Sequence, residues 1–328
     1  MLHLNELLLR KVFVALDGPT TGLTSFSGPI GKGLTNCQDF PVVNYDKIDS
    51  TFPEVDSKDL STDQKYLWDI CQAVVKGDCP SELASRNPGN LSHARWLTLA
   101  NRILRLYIST IEPTPQLRKL AEFVMKVYAT SWFTIKCRPK IIHSSQHFFF
   151  IVQCTKFLDS ELKAVAQSSL QRNAFMAHPE HILLGMLFDS RKHIRALAGK
   201  RIEKARQTET RAHRVFKPPQ VNFEAEDYID LIDWQSTTVT EPPLIADFSK
   251  EEIEMIVNSG SSDRKEFKIP LHTQAVERVV KEVTAASKHV CGVQEREGFI
   301  RSRFLDRKYL PKFETKRQYT SATAVLQK

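Results

Sequence analysis

Three carboxylates, Glu226, Asp230 and Asp233, stand four and three residues apart. On a helix that spacing puts them on one face, where a divalent cation could be held. More often such a face is solvated or pairs with a basic neighbour. His178-Pro179-Glu180-His181 sets two histidines three residues apart at a helix start. That is half a zinc site in spacing, with no second pair placed to supply four ligands or three plus water, so capping and core packing compete with it. Glu277 lies beside Arg278 and near Lys281, the setting of an ordinary salt-bridged glutamate. A lone carboxylate cannot perform two-metal phosphoryl transfer, which needs several acids to hold two cations about 3.5–4 Å apart. No P-loop, G-x-G-x-x-G, G-x-S-x-G or H-E-x-x-H occurs, which disfavours nucleotide-dependent and hydrolase chemistry.

The larger chemical signal is cationic. Residues 191–217 contain Arg191, Lys192, Arg195, Lys200, Arg201, Lys204, Arg206, Arg211, Arg214 and Lys217 against Glu203 and Glu209. Ten basic against two acidic residues leave +8, the formal net charge of the whole chain. A second series, Arg95, Arg102 and Arg105, recurs with Thr98 and Ser109 on the polar side of a helix. Its other side carries the apolar rows Trp96/Leu99/Ile103/Tyr107 and Leu97/Ala100/Leu104/Ile108/Ile111. Each series reads either as a solvated face or as one that meets phosphate. The long run of cations also suits nuclear import.

The elements that must position these residues are mostly helical. A helix over residues 2–16 ends at Asp17-Gly18-Pro19, and a Gly-, Pro-, Ser- and Thr-rich stretch to Asp59 reads as an extended wrap. Ser61-Thr62-Asp63-Gln64 caps a helix that closes at Lys76-Gly77-Asp78. Glu112-Pro113 ends the arginine helix, and Thr114-Pro115 starts its partner, running through Leu117, Leu120, Val124, Val127 and Tyr128 toward Trp132. Residues 145–158 are apolar and aromatic; helix is favoured over buried strand because the neighbours are helical. Short helices come next over 162–170 and from Pro179, and Asp189-Ser190 caps the basic helix. Pro218-Pro219 reads as a boundary. Beyond it lie an acidic helix, an extended segment over 237–248, a helix over 249–257, a polar loop over 258–264, a helix bearing Glu277 and a frayed basic tail from Lys308.

At 328 residues, 41% of them hydrophobic, the chain can bury a real core. The expected organisation is an N-terminal helix and wrap over 1–59, an all-helical body over 60–217 and a C-terminal part over 218–328. Six scattered cysteines without a C-x-x-C pair, and no signal-peptide pattern, favour reduced thiols inside a cell. No apolar run approaches the roughly 18–20 residues of a bilayer span, so no membrane partner is expected. The helical pattern starts at Leu4 without a polar leader or cap, as in a fragment.

The run Leu2-His3-Leu4-Asn5-Glu6-Leu7, the opening Ala94-Arg95-Trp96 and the late Gln274-Ala275-Val276-Glu277-Arg278 resemble, in that order, landmarks of hAT-like cut-and-paste transposases and of transposon-derived proteins. The resemblance implies a mainly α fold: a helical body like the family's insertion domain, with a small α/β ribonuclease-H-like remnant formed by the terminal segments. It makes His3 the histidine of a C-x-x-H motif, Trp96 the insertion-domain tryptophan and Glu277 the third catalytic acid. The chain departs from the pattern in lacking the matching cysteine and the two upstream aspartates, and in having Val276-Glu277-Arg278 in place of Ser-Glu-Arg. The resemblance, with these departures, implies a truncated, catalytically inactive DNA-binding or assembly protein. Its DNA contacts would be Arg95, Trp96, Arg102, Arg105, Lys200, Arg201, Lys204, Arg206, Arg211 and Arg214. No cofactor is implied, with Mg or Mn held only if missing acids come from another chain. Self-association is one open arrangement of such a module. The alternative is a helical protein-interaction module with no DNA role.

Overall fold

The apolar row beginning at Leu4 winds one helix, α1 (Leu2–Asp17), with Leu4, Leu8, Leu9, Val12 and Phe13 all buried. In the computed structural model the described residues are 1–19, 26–91, 96–208, 219–242, 244–246 and 248–259. The Asp17 carboxylate ends α1 by turning onto α2 (Pro29–Gly33), accepting from Ile30 N–H at 2.8 Å and Gly31 N–H at 2.7 Å. Glycine is needed there because a Cβ at Gly28 would lie 2.2 Å from Asp17 Oδ1.

The stretch to Asp59 wraps the body largely without regular structure, tied down wherever it crosses a helix. Val43 N–H donates to Ile108 O at 3.0 Å, Tyr45 Oη to Ala73 O at 3.0 Å and Ser50 Oγ to Met125 O at 3.0 Å. Helix α3 (Thr62–Lys76) starts in the capping box of Ser61 and Gln64 and stops at Gly77, whose φ of 76° only glycine adopts freely. After the short α4 (Ser81–Ser85), α5 (Trp96–Tyr107) and α6 (Pro115–Phe123) make the expected hairpin, with Thr114 Oγ1 accepting from Leu117 N–H at 3.3 Å. The second helix does not continue regularly to Trp132. Its ladder widens to a π-turn over Val124–Ala129 before α7 (Thr130–Cys137), and Met125 O accepts from Thr130 Oγ1 at 2.7 Å as well as from Ser50.

The aromatic segment is helix α8 (Ser144–Cys154), followed by α9 (Ser160–Arg172), α10 (Pro179–Leu187) and the basic α11 (Lys192–Gln207). Helix α1 packs on α6 and α9, α3 on α5, α7 on α8, α8 on α10, and α10 on α11. The architecture is mainly α, with no strand among the described residues. No helix among them is long and apolar enough to cross a membrane.

The acidic stretch is not the expected helix. Glu226, Asp230 and Asp233 share no helical face; only a single turn forms, over Tyr228–Asp230. Short Asp side chains divert the backbone into turns: Asp227 Oδ1 accepts from Ile229 N–H at 3.3 Å and Asp233 Oδ1 from Gln235 N–H at 2.9 Å. Residues 218–259 hold ten acids and one lysine, a net of −9, next in sequence to the +8 segment. They lie back on it. Tyr228–Asp230 packs on α8 and α10, and α12 (Lys250–Asn258) on α11. The described residues on the two sides of the Pro218-Pro219 break belong to one compact unit; the second unit, Glu209–Lys217 with Val279–Lys328, lies outside the described residues.

Candidate nucleic-acid interface

Arginine has five donors in a planar fork, so a buried guanidinium can satisfy several main-chain carbonyls at once. Helix α5 uses two this way. Arg102 is 6% exposed and Arg105 2%. Arg102 donates from Nε to Gly89 O at 2.7 Å, and from Nη1 to Leu34 O at 2.7 Å, Thr35 O at 3.1 Å and Gln38 Oε1 at 3.0 Å. Arg105 Nη2 donates to Phe40 O at 2.8 Å and Ala84 O at 3.1 Å, while Nη1 meets Ser109 Oγ. Thr98 Oγ1 bonds Asn90 O at 2.8 Å, and Asn101 Nδ2 reaches Asp63 O and Pro88 O at 3.1 Å each. The expected outward arginine stripe is therefore overturned for Arg102 and Arg105. The wrap covers the polar side of α5, and that side is a buried seam stitching residues 34–40 and 84–90 to the body. Trp96 is buried in the core, and Arg95 lies outside the described residues.

Helix α11 divides its cations by type. Arg191, just ahead of its first turn, bridges Asp189, at 3.0 Å, and Asp227. Asp189 is 4% exposed and also accepts Tyr228 Oη at 2.7 Å. Burial pushes the Asp189 carboxyl up, but the Arg191 hydrogen bonds outweigh it and hold the group below the ordinary aspartate value. Arg195, also 4% exposed, donates to Asp189 O, Ser190 O, Val257 O and Ser259 O at 2.8–3.0 Å. It thereby caps carbonyls at the C-terminal end of α12. Arg201 stacks on Trp234, 3.8 Å from the ring centroid, and burial lowers its pKa from the ordinary arginine value. Arg206 pairs with Glu241 and donates to Phe248 O at 2.9 Å.

The lysines are left. Lys192, Lys200 and Lys204 are exposed and make no ion pair among the described residues, while the one acid between them, Glu203, is met by Lys250 at 3.2 Å. With 3.6 residues per turn they fall within an arc of about 120° and a length of ~18 Å. Arg211, Arg214 and Glu277 lie outside the described residues. The structure thus brings Lys200 and Lys204 together and engages Arg201 and Arg206 with the protein itself. His3 sits on α1, its Nδ1 3.8 Å from Glu6.

The histidine pair serves packing. His178 caps α10, its Nδ1 accepting from Glu180 N–H at 3.4 Å, and His181 lies edge-on to Phe175 with ring centroids 4.9 Å apart. Among the described residues no three His, Cys, Asp or Glu side chains come together as metal ligands. Sequence reasoning missed the Asp189–Arg191–Asp227–Tyr228 network, although a −9 stretch directly after a +8 stretch was a signal that the two neutralise each other. In comparisons with known proteins, no family model, no curated protein and no solved structure matches the chain.

Proposed function

We propose that the chain is a catalytically incomplete, transposase-derived module that binds nucleic acid through phosphate. One observation carries the reading: Lys192, Lys200 and Lys204 stand exposed in a row on α11 and make no ion pair among the described residues, where the neighbouring arginines are engaged by the protein itself. Arg211 and Arg214 extend that row in sequence. The parent family rests on the hAT-like landmarks at His3, Trp96 and Glu277. With it come a ribonuclease-H-like remnant in the terminal segments and Glu277 as a leftover metal-binding acid, with Mg or Mn bound only beside acids from another chain. An intracellular, nuclear setting goes with the basic segment. The test is a titration of labelled duplex DNA at roughly 50 and 200 mM salt. Binding is expected to be tighter at the lower salt; equal affinity at both, or none, removes the reading.

A second reading, a helical protein-interaction module without a nucleic-acid role, is favoured by the fate of the arginines. Arg102, Arg105, Arg195 and Arg206 give their donors to the chain's own oxygens. Under it the lysine row meets an acidic protein surface, and the same titration finds no duplex binding.

A further inference from the structure

Resting on the nucleic-acid reading, we propose that α11 grips the phosphate backbone of a double-stranded nucleic acid through Lys192, Lys200 and Lys204 alone among its cations, without reading bases. Three observations combine. First, the donors that recognise guanine edges bidentately belong above all to arginine, and here Arg195 spends its fork on four carbonyls while Arg191 and Arg206 hold carboxylates. Lysine offers a point charge suited to phosphate and indifferent to sequence.

Second, single-strand binders pair a cationic groove with aromatic rings on which bases stack. The outer arc of α11 consists of Lys192, His193, Ala196, Lys200, Glu203, Lys204 and Gln207, without Phe, Tyr or Trp. Trp234, beside the helix, has Arg201 stacked on its ring and donates from Nε1 to Ile229 O at 2.6 Å. Third, the helix is held rigid from behind. Both α10 and α12 pack on it, and a Cβ on Gly199 would come 3.2 Å from Val257, which shows how closely α12 approaches. A rigid ~18 Å row covers a length of duplex axis along which each strand carries about five phosphates, one per ~3.4 Å of axis.

The experiment uses the full chain and a duplex of mixed sequence, with the matching single strand alongside. Replacing Lys192, Lys200 and Lys204 by Gln should reduce the log–log salt slope by about 2.7, roughly 0.9 per phosphate, so that the loss of affinity between ~50 and ~200 mM salt shrinks about 40-fold. Melting followed by circular dichroism should be unchanged, since these side chains make no hydrogen bond or ion pair among the described residues. Arg206→Gln should leave the slope alone. An unchanged slope in the lysine variant with duplex binding intact would place the contacts elsewhere and overturn this inference while sparing the nucleic-acid reading. A slope that falls in Arg206→Gln, tighter binding of the single strand, or affinities differing more than ~10-fold between duplex sequences would overturn it too. If the unaltered chain shows no salt-dependent binding, the nucleic-acid reading itself falls.

Discussion

The guanidinium groups of Arg102 and Arg105 sit where a sequence pattern puts solvent, because their forks satisfy carbonyls that the irregular wrap leaves without partners. Removing one leaves part-buried acceptors such as Phe40 O and Ala84 O without their donor and empties the space of a buried side chain, and each acceptor that water does not reach costs about 1–3 kcal/mol. Arg105→Ala, which exposes Phe40 O and Ala84 O to that penalty, should lower the unfolding free energy by about 3 kcal/mol or more. Lys204→Ala should stay within about 0.5 kcal/mol. Urea unfolding of the two variants side by side is the measurement, and equal midpoints would show that the seam contributes nothing to stability. Lysine should not rescue position 105, since one ammonium cannot bridge both carbonyls and Ser109. Sequence alone ranked the arginines and lysines together as cations; burial separates them.

At the scale of elements, α8 and α10 bring four histidines to their N-terminal halves: His143, His147, His178 and His181. His147 is 3% exposed, and its ring centroid lies 6.1 Å from that of His143. Burial lowers the pKa of His147 and of His178 to about 3 and that of His181 to about 4, with like charge from neighbours adding to the effect. These values lie below the ~6.5 of an unfolded histidine, so the folded state resists protons that the unfolded chain accepts. Stability is then complete above pH ~6.5 and falls as the pH drops from there toward 4, by about 1.4 kcal/mol per pH unit for each such histidine. The urea midpoint should fall between pH 7 and 5, and His147→Gln should make that fall shallower; an identical pH slope in the variant would refute the assignment. The helices themselves were legible from local chemistry. Ser61 with Gln64, Thr114-Pro115 and Pro179 mark starts that the structure keeps. The π-turn was not, because Ser50 and Thr130 converge on Met125 O from different parts of the chain.

Over the whole molecule, charge is balanced by folding back. The −9 segment over 218–259 meets the basic helix through Arg191–Asp227, Arg206–Glu241 and Lys250–Glu203. The attachment is mainly apolar: Val221, Ala225, Tyr228, Leu231, Ile232, Ile245, Ile253 and Ile256 are all buried. At about 1.5–3 kcal/mol for each large side chain, this cover rivals the ~5–15 kcal/mol that holds a typical domain together. A chain cut after Lys217 should therefore lose its cooperative thermal transition, whereas a self-sufficient body would melt as before. Circular dichroism decides between them.

By itself, the sequence determined that this is a mainly helical protein, where most of its longer helices begin, and that it carries a dense run of cations. Caps, proline positions and apolar periodicity act over a few residues, and the chain order contains them. Only the tertiary structure decided which cations face water. Arg102, Arg105, Arg195 and Arg206 are engaged by the fold because segments distant in sequence bring carbonyls and carboxylates to them, while Lys192, Lys200 and Lys204 remain outside on the exposed arc of α11. A helical period shows which residues share a face, and the partner that covers the face comes from the rest of the fold.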